Sequence, residues 1–284
     1  MGNVKMRIWD VKHGNAIFVR TPDNKNLVYD LGRGDYSENS DDRSPLETLY
    51  DHYGVRDIHY LVITHPHRDH IDDILNIDKF NVKIFKRPRN LDKVGIMSNI
   101  SERDKPKYDK YFALDTEYVH PVPATLVTSD PKNYGDLNNS TFETPGLTTN
   151  LNNRSIFTVL EYQGIKVIIP GDNEYASLDL LMQKEDFKAA IEDCDVLIAP
   201  HHGRESAYHS AFVKLANPRL IIVSDGSLCD TSANARYSAA ARGWDVYRNG
   251  QPTQRKMLTT NTDGEVYIDF GHNGTTRYLS VQIK

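Results

Sequence analysis

The stretch "YLVITHPHRDH", residues 60 to 70, runs an apolar segment straight into His65, His67, Asp69 and His70. An uninterrupted run such as "YLVI" reads as a strand covered on both faces, so layers are required on either side of the sheet that holds it. The four polar side chains fall where that strand stops, in a loop leading into a helix. Imidazole nitrogen and carboxylate oxygen suit Zn2+ and comparable divalent ions, and a catalytic site of this kind needs few protein ligands and an open position. The alternative is a polar loop with solvated histidines. Three histidines and an aspartate within six positions make that coincidence improbable in a chain with 11 histidines.

Two later segments have the same form. "VIIPGDNE" ends at Asp172, and "VLIAPHHGRES" ends at His201 and His202. Taken alone, Gly-Asp-Asn is an ordinary turn and a histidine pair is ambiguous. A fold that brings the three strand ends to one rim would place a carboxylate between two imidazole-rich groups, as a bridged dinuclear centre needs.

The remaining pattern supports such a rim. "MRIWDV", "NAIFVRT" and "NLVYDLG" are short strands separated by turn-forming "KHGN" and "PDNKN". "SPLETLYDHYGV" carries a Ser cap, Glu47 three residues on, and helical apolar spacing up to Gly54. "IHYLVITH" reads as one buried strand, and "SIFTVLEYQGIKVIIPGD" as a hairpin about "QG". "LDLLMQKEDFKAAIED" and "SAYHSAFVKLAN" read as helices, "CDVLIAPHHG" and "RLIIVSDG" as strands, and "TTNTDGEVYIDFGHNG" as a terminal hairpin turning at "DG". Two β-rich halves with intervening helices predict an α/β fold, a four-layer α/β/β/α sandwich, as a single domain over residues 1–284.

With 284 residues, 39% of them hydrophobic, the chain can bury a sizeable core. Cys194 and Cys229 have no CxxC partner, which argues against disulfide frameworks and thiolate zinc sites and reads as buried free thiols. The N-terminus enters a strand pattern with no apolar leader, and no long apolar run follows, so a cytoplasmic protein without membrane contact is expected. The net charge of −5 conceals an asymmetry. From Lys79 to Lys110 there are ten basic and four acidic residues, within a basic insertion at about 79–115 that also holds Tyr108, Tyr111 and Phe112. That segment reads either as a flank for a polyanion, with Lys86, Arg87 and Arg89 as candidate contacts, or as a solvated loop.

The ordered set "THPHRDH", "PGDNE" and "APHHGRES" resembles the metallo-β-lactamase fold superfamily. With "IWDVKHGNAIFVRTPDNKNLVYDLG" and "HHG" it is most similar to the C-terminal domain of ComEC-type competence proteins, over residues 6 to about 270. The resemblance implies that His65 and His67 hold one metal, Asp69 and His70 a second, with Asp172 bridging. His202, rather than His201, is the implied later ligand. One or two Zn2+ ions are implied as cofactor, with Mn2+ as the alternative. Many members of the superfamily supply a further histidine before the bridging aspartate; here "NLNNRSIFTV" offers Asn153 or Ser155, which leaves the His65/His67 ion the less securely held. Asp72 and Asp73 read as helix-start carboxylates or as partners of a ligand histidine. His13, in "VKHGN", falls on a turn the family sets near the metal rim, where it is a candidate substrate contact or a plain surface residue. No His-Pro stands in "SLCDTSANARYSAAARGW", so the role of that dipeptide in relatives does not transfer. His272 reads as a surface turn residue.

The implied activity is hydrolysis of DNA or another nucleic acid, a nuclease or phosphodiesterase in which Asp69, His201 and His202 are catalytic and the non-ligand histidine serves the leaving oxygen. A hydrolase of a small anionic ester, such as a cyclic nucleotide, phosphorylcholine or a lactone, is the alternative. A third reading is a metal-binding, weakly active module with a protein partner in a larger bacterial assembly.

Overall fold

The computed structural model describes residues 2–34, 44–119, 133–144, 150–225 and 232–284. Two β-sheets face each other, each backed by helices. The larger runs, in spatial order, Gln251–Arg255, Trp244–Arg248, Thr276–Ile283, Val266–Asn273, Val4–Ile8, Ala16–Arg20, Asn26–Leu31, Tyr60–Val62 and Phe85–Lys86. The other runs Met257–Thr259, Leu220–Val223, Val196–Ile198, Ile165–Ile169, Phe157–Tyr162, Leu137–Phe142 and Asn133–Tyr134.

Period-two alternation assigns the layers. Leu27, Tyr29, Tyr60 and Val62 turn inward and pack with Val167, Ile169, Val196 and Ile198 of the opposite sheet. Their neighbours Val28 and Leu61 face the other way, onto Leu46, Leu49, Ile71, Ile74 and Tyr111 of the outer helices. On the second sheet Ile168, Leu197 and Ile221 pack outward against Leu178, Phe187 and Phe212. Burial of each such side chain stabilises by about 1.5–3 kcal/mol, and the three clusters together form the four-layer α/β/β/α sandwich expected from the sequence.

Helix Pro45–Asp51 opens with a full capping box: Ser44 Oγ accepts from the Glu47 amide and the Glu47 carboxylate accepts from the Ser44 amide. The "QG" hairpin closes with Gln163 and Gly164 both at positive φ, as a tight two-residue turn requires. Four expectations need correction. "IHYLVITH" is not one strand: Asp57–Ile58 pairs with Asn81–Val82, and His59 breaks the run by accepting the Asn26 amide at Nδ1, 3.1 Å. "LDLLMQKEDFKAAIED" forms two helices, Tyr175–Leu181 and Glu185–Ile191, because Lys184 is extended. Helix Ser210–Ala216 starts later than "SAYH", capped by His209 Nδ1 accepting from the Phe212 amide. The terminal hairpin turns at Gly274–Thr275, since Asp263 ends a short helix and is buried against Arg255 and the Thr259 amide.

The basic segment also differs from its expected role. It contributes helix Lys105–Glu117, and Tyr108, Tyr111 and Phe112 are buried in the outer core, so their rings are not available to stack on bases. Seven of its ten cations are answered within the chain, by Glu47, Asp57, Glu143, Asp115, Asp109, Asp72 with Asp104, and Asp78. Cys194 is buried and burial pushes its thiol up; Cys229 lies outside the described residues. Among the described residues no helix is long and apolar enough to cross a membrane.

Candidate metal centre

Strands Asn26–Leu31, Tyr60–Val62 and Phe85–Lys86 are parallel, as are Ile165–Ile169, Val196–Ile198 and Leu220–Val223. The loops after their carboxyl ends carry His65–His70, Asp172 and His201–His202, and they meet at one rim, the position where parallel sheets present ligand-binding groups. Asp69, His70, Asp172 and His202 each offer one donor atom, all within 4.8 Å of one another. His70 Nε2 lies 3.2 Å from Asp172 Oδ1 and 3.5 Å from Asp69 Oδ2. His202 Nε2 lies 3.2 Å from Asp69 Oδ2 and 3.5 Å from Asp172 Oδ2.

Close approach of backbones makes this possible. Gly14, at φ +140°, sits where a Cβ would come 2.5 Å from the Asp69 carbonyl oxygen, so "KHGN" can lie directly against the motif loop. His201 and His202 are both left-handed, at φ 46° and 56°. Two non-glycine residues in that region store strain, which the surroundings hold: the His201 amide donates to the Gly171 carbonyl, 3.2 Å, and His202 Nδ1 donates to the Ser224 carbonyl, 2.7 Å.

The centre is anchored from behind. His70 Nδ1 meets Asp30 Oδ2 at 2.8 Å, and Asp30 also accepts from the Thr64 amide and hydroxyl and from Asn15. A carboxylate behind an imidazole fixes its tautomer and leaves Nε2 directed at the centre. Asp30 was missed by sequence reasoning, although a charged residue inside the apolar run "NLVYDLG" is the kind of buried polar group that needs a partner. Asp73 is not such a partner: it accepts from the Leu46 amide and Asn76, and burial pushes its carboxyl up to about 6. Asp72 pairs with Arg68 and Lys107.

Electrostatically the cluster is a place for a cation. Burial opposes charge on His70 and His202, yet the surrounding carboxylates win: Asp172, Asp30 and Asp69 hold His70 well above its ordinary value, and Asp172 and Asp69 raise His202 to about 10. Asp69 and Asp172 are held well below the carboxylate range, against burial, by His70 and His202. The donor set of two imidazoles and two carboxylates fits a divalent ion such as zinc or manganese. So does the state of the imidazoles: Nε2 of both His70 and His202 is buried without a well-formed hydrogen bond, as a ligand atom would be.

The other half of the motif is arranged differently. His65 Nε2 faces His67 Nδ1 at 2.9 Å and Asp172 Oδ2 at 3.7 Å, and neither histidine joins the four-residue group. Burial lowers both, His65 well below its ordinary value with His70 adding to the shift, so both are neutral. Ser155 Oγ stands between His65 Nδ1, 3.2 Å, and the Asp172 amide, 3.1 Å. Asn153 Oδ1 accepts from the Glu174 and Ser177 amides and so holds the loop after Asp172.

His201 lies beside the centre, with Nδ1 3.0 Å from Glu174 and Nε2 within reach of Arg204, Asn152 and Asp172 at 3.2, 3.4 and 3.8 Å. His13 reaches the rim, Nε2 3.4 Å from Asp69 Oδ2 and its ring 4.6 Å from that of His202. The three basic candidates do not meet there. Arg87 is buried, its guanidinium bound to the Asp115 carboxylate and to the carbonyls of Phe85, Asp115 and Tyr118, which makes it a tie within the outer layer. Lys86 pairs with Glu143, and exposed Arg89 donates to the Tyr118 carbonyl.

No family model matches this chain, and no curated protein does. Among solved structures, it is similar to CmlA, a diiron β-hydroxylase from Streptomyces venezuelae, at 12% identity over 78% of this chain, with a TM-score of 0.42. A mutant of CmlA β-hydroxylase gives 12% identity over 79% and a TM-score of 0.43. The chain spans under half the length of both, 45% and 46%. Zn2+-bound PqqB from Methylobacterium extorquens is similar at 15% identity over 84% of this chain and 86% of its own, with a TM-score of 0.37.

Proposed function

We propose that the chain is a metal-dependent hydrolase of the metallo-β-lactamase type that cleaves phosphodiesters. The convergence of Asp69, His70, Asp172 and His202 on one rim carries this reading. A divalent ion held there would supply Lewis acidity toward a substrate oxygen and acidify a water. Asp30 and the Ser224 carbonyl orient the two imidazoles, and Asp69 and Asp172 would bring the negative charge to retain an ion. His65 and His67, with Asp172, are the candidates for a second ion. His201, with Nδ1 on Glu174 and burial keeping it below its ordinary value, is the group to take a proton at Nε2 from the attacking water, once substrate displaces Arg204, and to return that proton to the leaving oxygen.

Nucleic acid is the leading substrate from the sequence, with DNA implied by the ComEC-like resemblance. The small-ester reading is favoured by one observation: seven of the ten cations of the basic segment are engaged in ion pairs, and Tyr108, Tyr111 and Phe112 are buried. Metal analysis of the purified protein, followed by single-stranded DNA, duplex DNA, RNA, a cyclic dinucleotide and a lactone with Zn2+, Mn2+ or Mg2+, separates these. Cleavage of nucleic acid supports the nuclease reading; turnover of the small esters alone replaces it, and near-zero turnover of all of them with a tightly held ion supports the weakly active module.

A further inference from the structure

A cavity of 470 Å³ opens beside the centre, bounded by His67, Leu91, Ile96, Ile100, Leu151 and Arg154. That volume is within the range of small-molecule pockets. His67 joins its wall to the imidazole-rich side of the centre, being 2.9 Å from His65, whose Nε2 is 3.7 Å from Asp172.

Arg154 is the unusual member of the wall. It is only 5% exposed, and its Nη2 donates to the Arg89 carbonyl at 2.8 Å, but no carboxylate of the described residues lies within 4.0 Å of it. Arg87, equally buried, shows the ordinary arrangement, with the Asp115 carboxylate at 2.7 Å and carbonyls around it. A buried guanidinium calls for a counter-charge. Among the described residues the one acidic group on the cavity wall, Asp92, is used as a helix cap, its Oδ1 accepting from the Gly95 amide at 3.0 Å.

We infer that this cavity binds a small organic anion: Arg154 takes a phosphate or carboxylate, and Leu91, Ile96, Ile100 and Leu151 cover an apolar or aromatic body. As a substrate pocket it rests on the hydrolase reading; as a binding site it does not. A cavity of this size admits a compact molecule or the terminal unit of a polymer, and it selects by charge and apolar surface together.

The test uses metal-free protein and calorimetric titration with phenyl phosphate, inorganic phosphate and benzyl alcohol, so that binding is read without turnover. The expected result is phenyl phosphate bound about tenfold or more tighter than either fragment. Arg154→Met is expected to remove that advantage, Arg154→Lys to keep part of it, and Ile96→Trp, at a half-buried wall position, to block the ring without touching the guanidinium. If Arg154→Met fails to fold, Ile96→Trp decides. Phenyl phosphate bound no tighter than benzyl alcohol, or bound by Ile96→Trp and any folded Arg154→Met as by the natural chain, overturns the pocket. The two readings fail separately: expected binding with no hydrolysis of any ester leaves the pocket and removes the hydrolase, whereas hydrolysis unaffected by both variants does the reverse.

Discussion

The two halves of "HPHRDH" are built to different standards. His70 has a carboxylate behind it at 2.8 Å and a buried Nε2 directed at two more carboxylates, and His202 is fixed in the same way by a backbone carbonyl at 2.7 Å. His65 is backed by hydroxyls, those of Thr64 and Ser155 at 3.2 Å, and its Nε2 faces the neighbouring imidazole of His67 instead of a carboxylate at short range. One half is pre-organised for an ion; the other needs rearrangement before both of its imidazoles can serve one. Residues adjacent in sequence can therefore differ greatly in what their second hydrogen bond contributes.

The comparison breaks most easily at its stronger side. Asp172→Ala removes a carboxylate that faces His70, His202 and His65, and is expected to weaken the tightest ion by more than about 100-fold, while His67→Ala changes it by less than about tenfold. Competition with a chromophoric chelator measures both, and comparable losses would erase the distinction between the halves. Asp30→Asn keeps the shape but not the charge behind His70. A loss of about 10–100-fold in affinity is expected, with His70 remaining in place; chelator competition together with the imidazole NMR signals checks it.

A pH effect follows from His202. Its value in the metal-free fold, about 10, is raised above 6.5, so the stability linked to its proton is fully present below about pH 6.5 and is lost as pH rises toward about 10. The melting temperature of metal-free protein should therefore fall across that window. A bound ion replaces the proton, and the metal-loaded protein should show a flatter profile; parallel slopes would contradict the assignment of His202 to the ion. The smallest effect belongs to the weaker side. Ser155→Ala deletes one hydroxyl from His65 and from the Asp172 amide, and is expected to shift metal affinity by no more than about threefold, or about 0.7 kcal/mol.

The alternation in "NLVYDLG" and the continuous run in "YLVI" made the layers legible, because burial on one face or on two leaves different periods in the sequence. The candidate ligands stood out in combination: an Asp-containing turn or a histidine pair alone is ambiguous, but three strand ends with such residues beside a dense His/Asp motif are not a usual set. Asp30 was not, since its role depends on the parallel pairing of Asn26–Leu31 with Tyr60–Val62, a long-range fact no local pattern contains. The basic segment misled for a related reason: its charge is visible in the chain, but Glu47, Asp57 and Glu143, which answer three of its lysines, lie up to 57 residues away. Tyr108 and Tyr111 likewise look available until helix Lys105–Glu117 packs them against the outer face of the sheet.

The central claim, that the tight site is Asp69, His70, Asp172 and His202, is tested most directly by titrating metal-free protein with Zn2+ in three forms: the natural chain, His65→Ala with His67→Ala, and His70→Ala with His202→Ala, each checked for folding by circular dichroism. The account predicts that the tightest ion survives in the first double variant and is lost in the second. Loss in the first with retention in the second would contradict it.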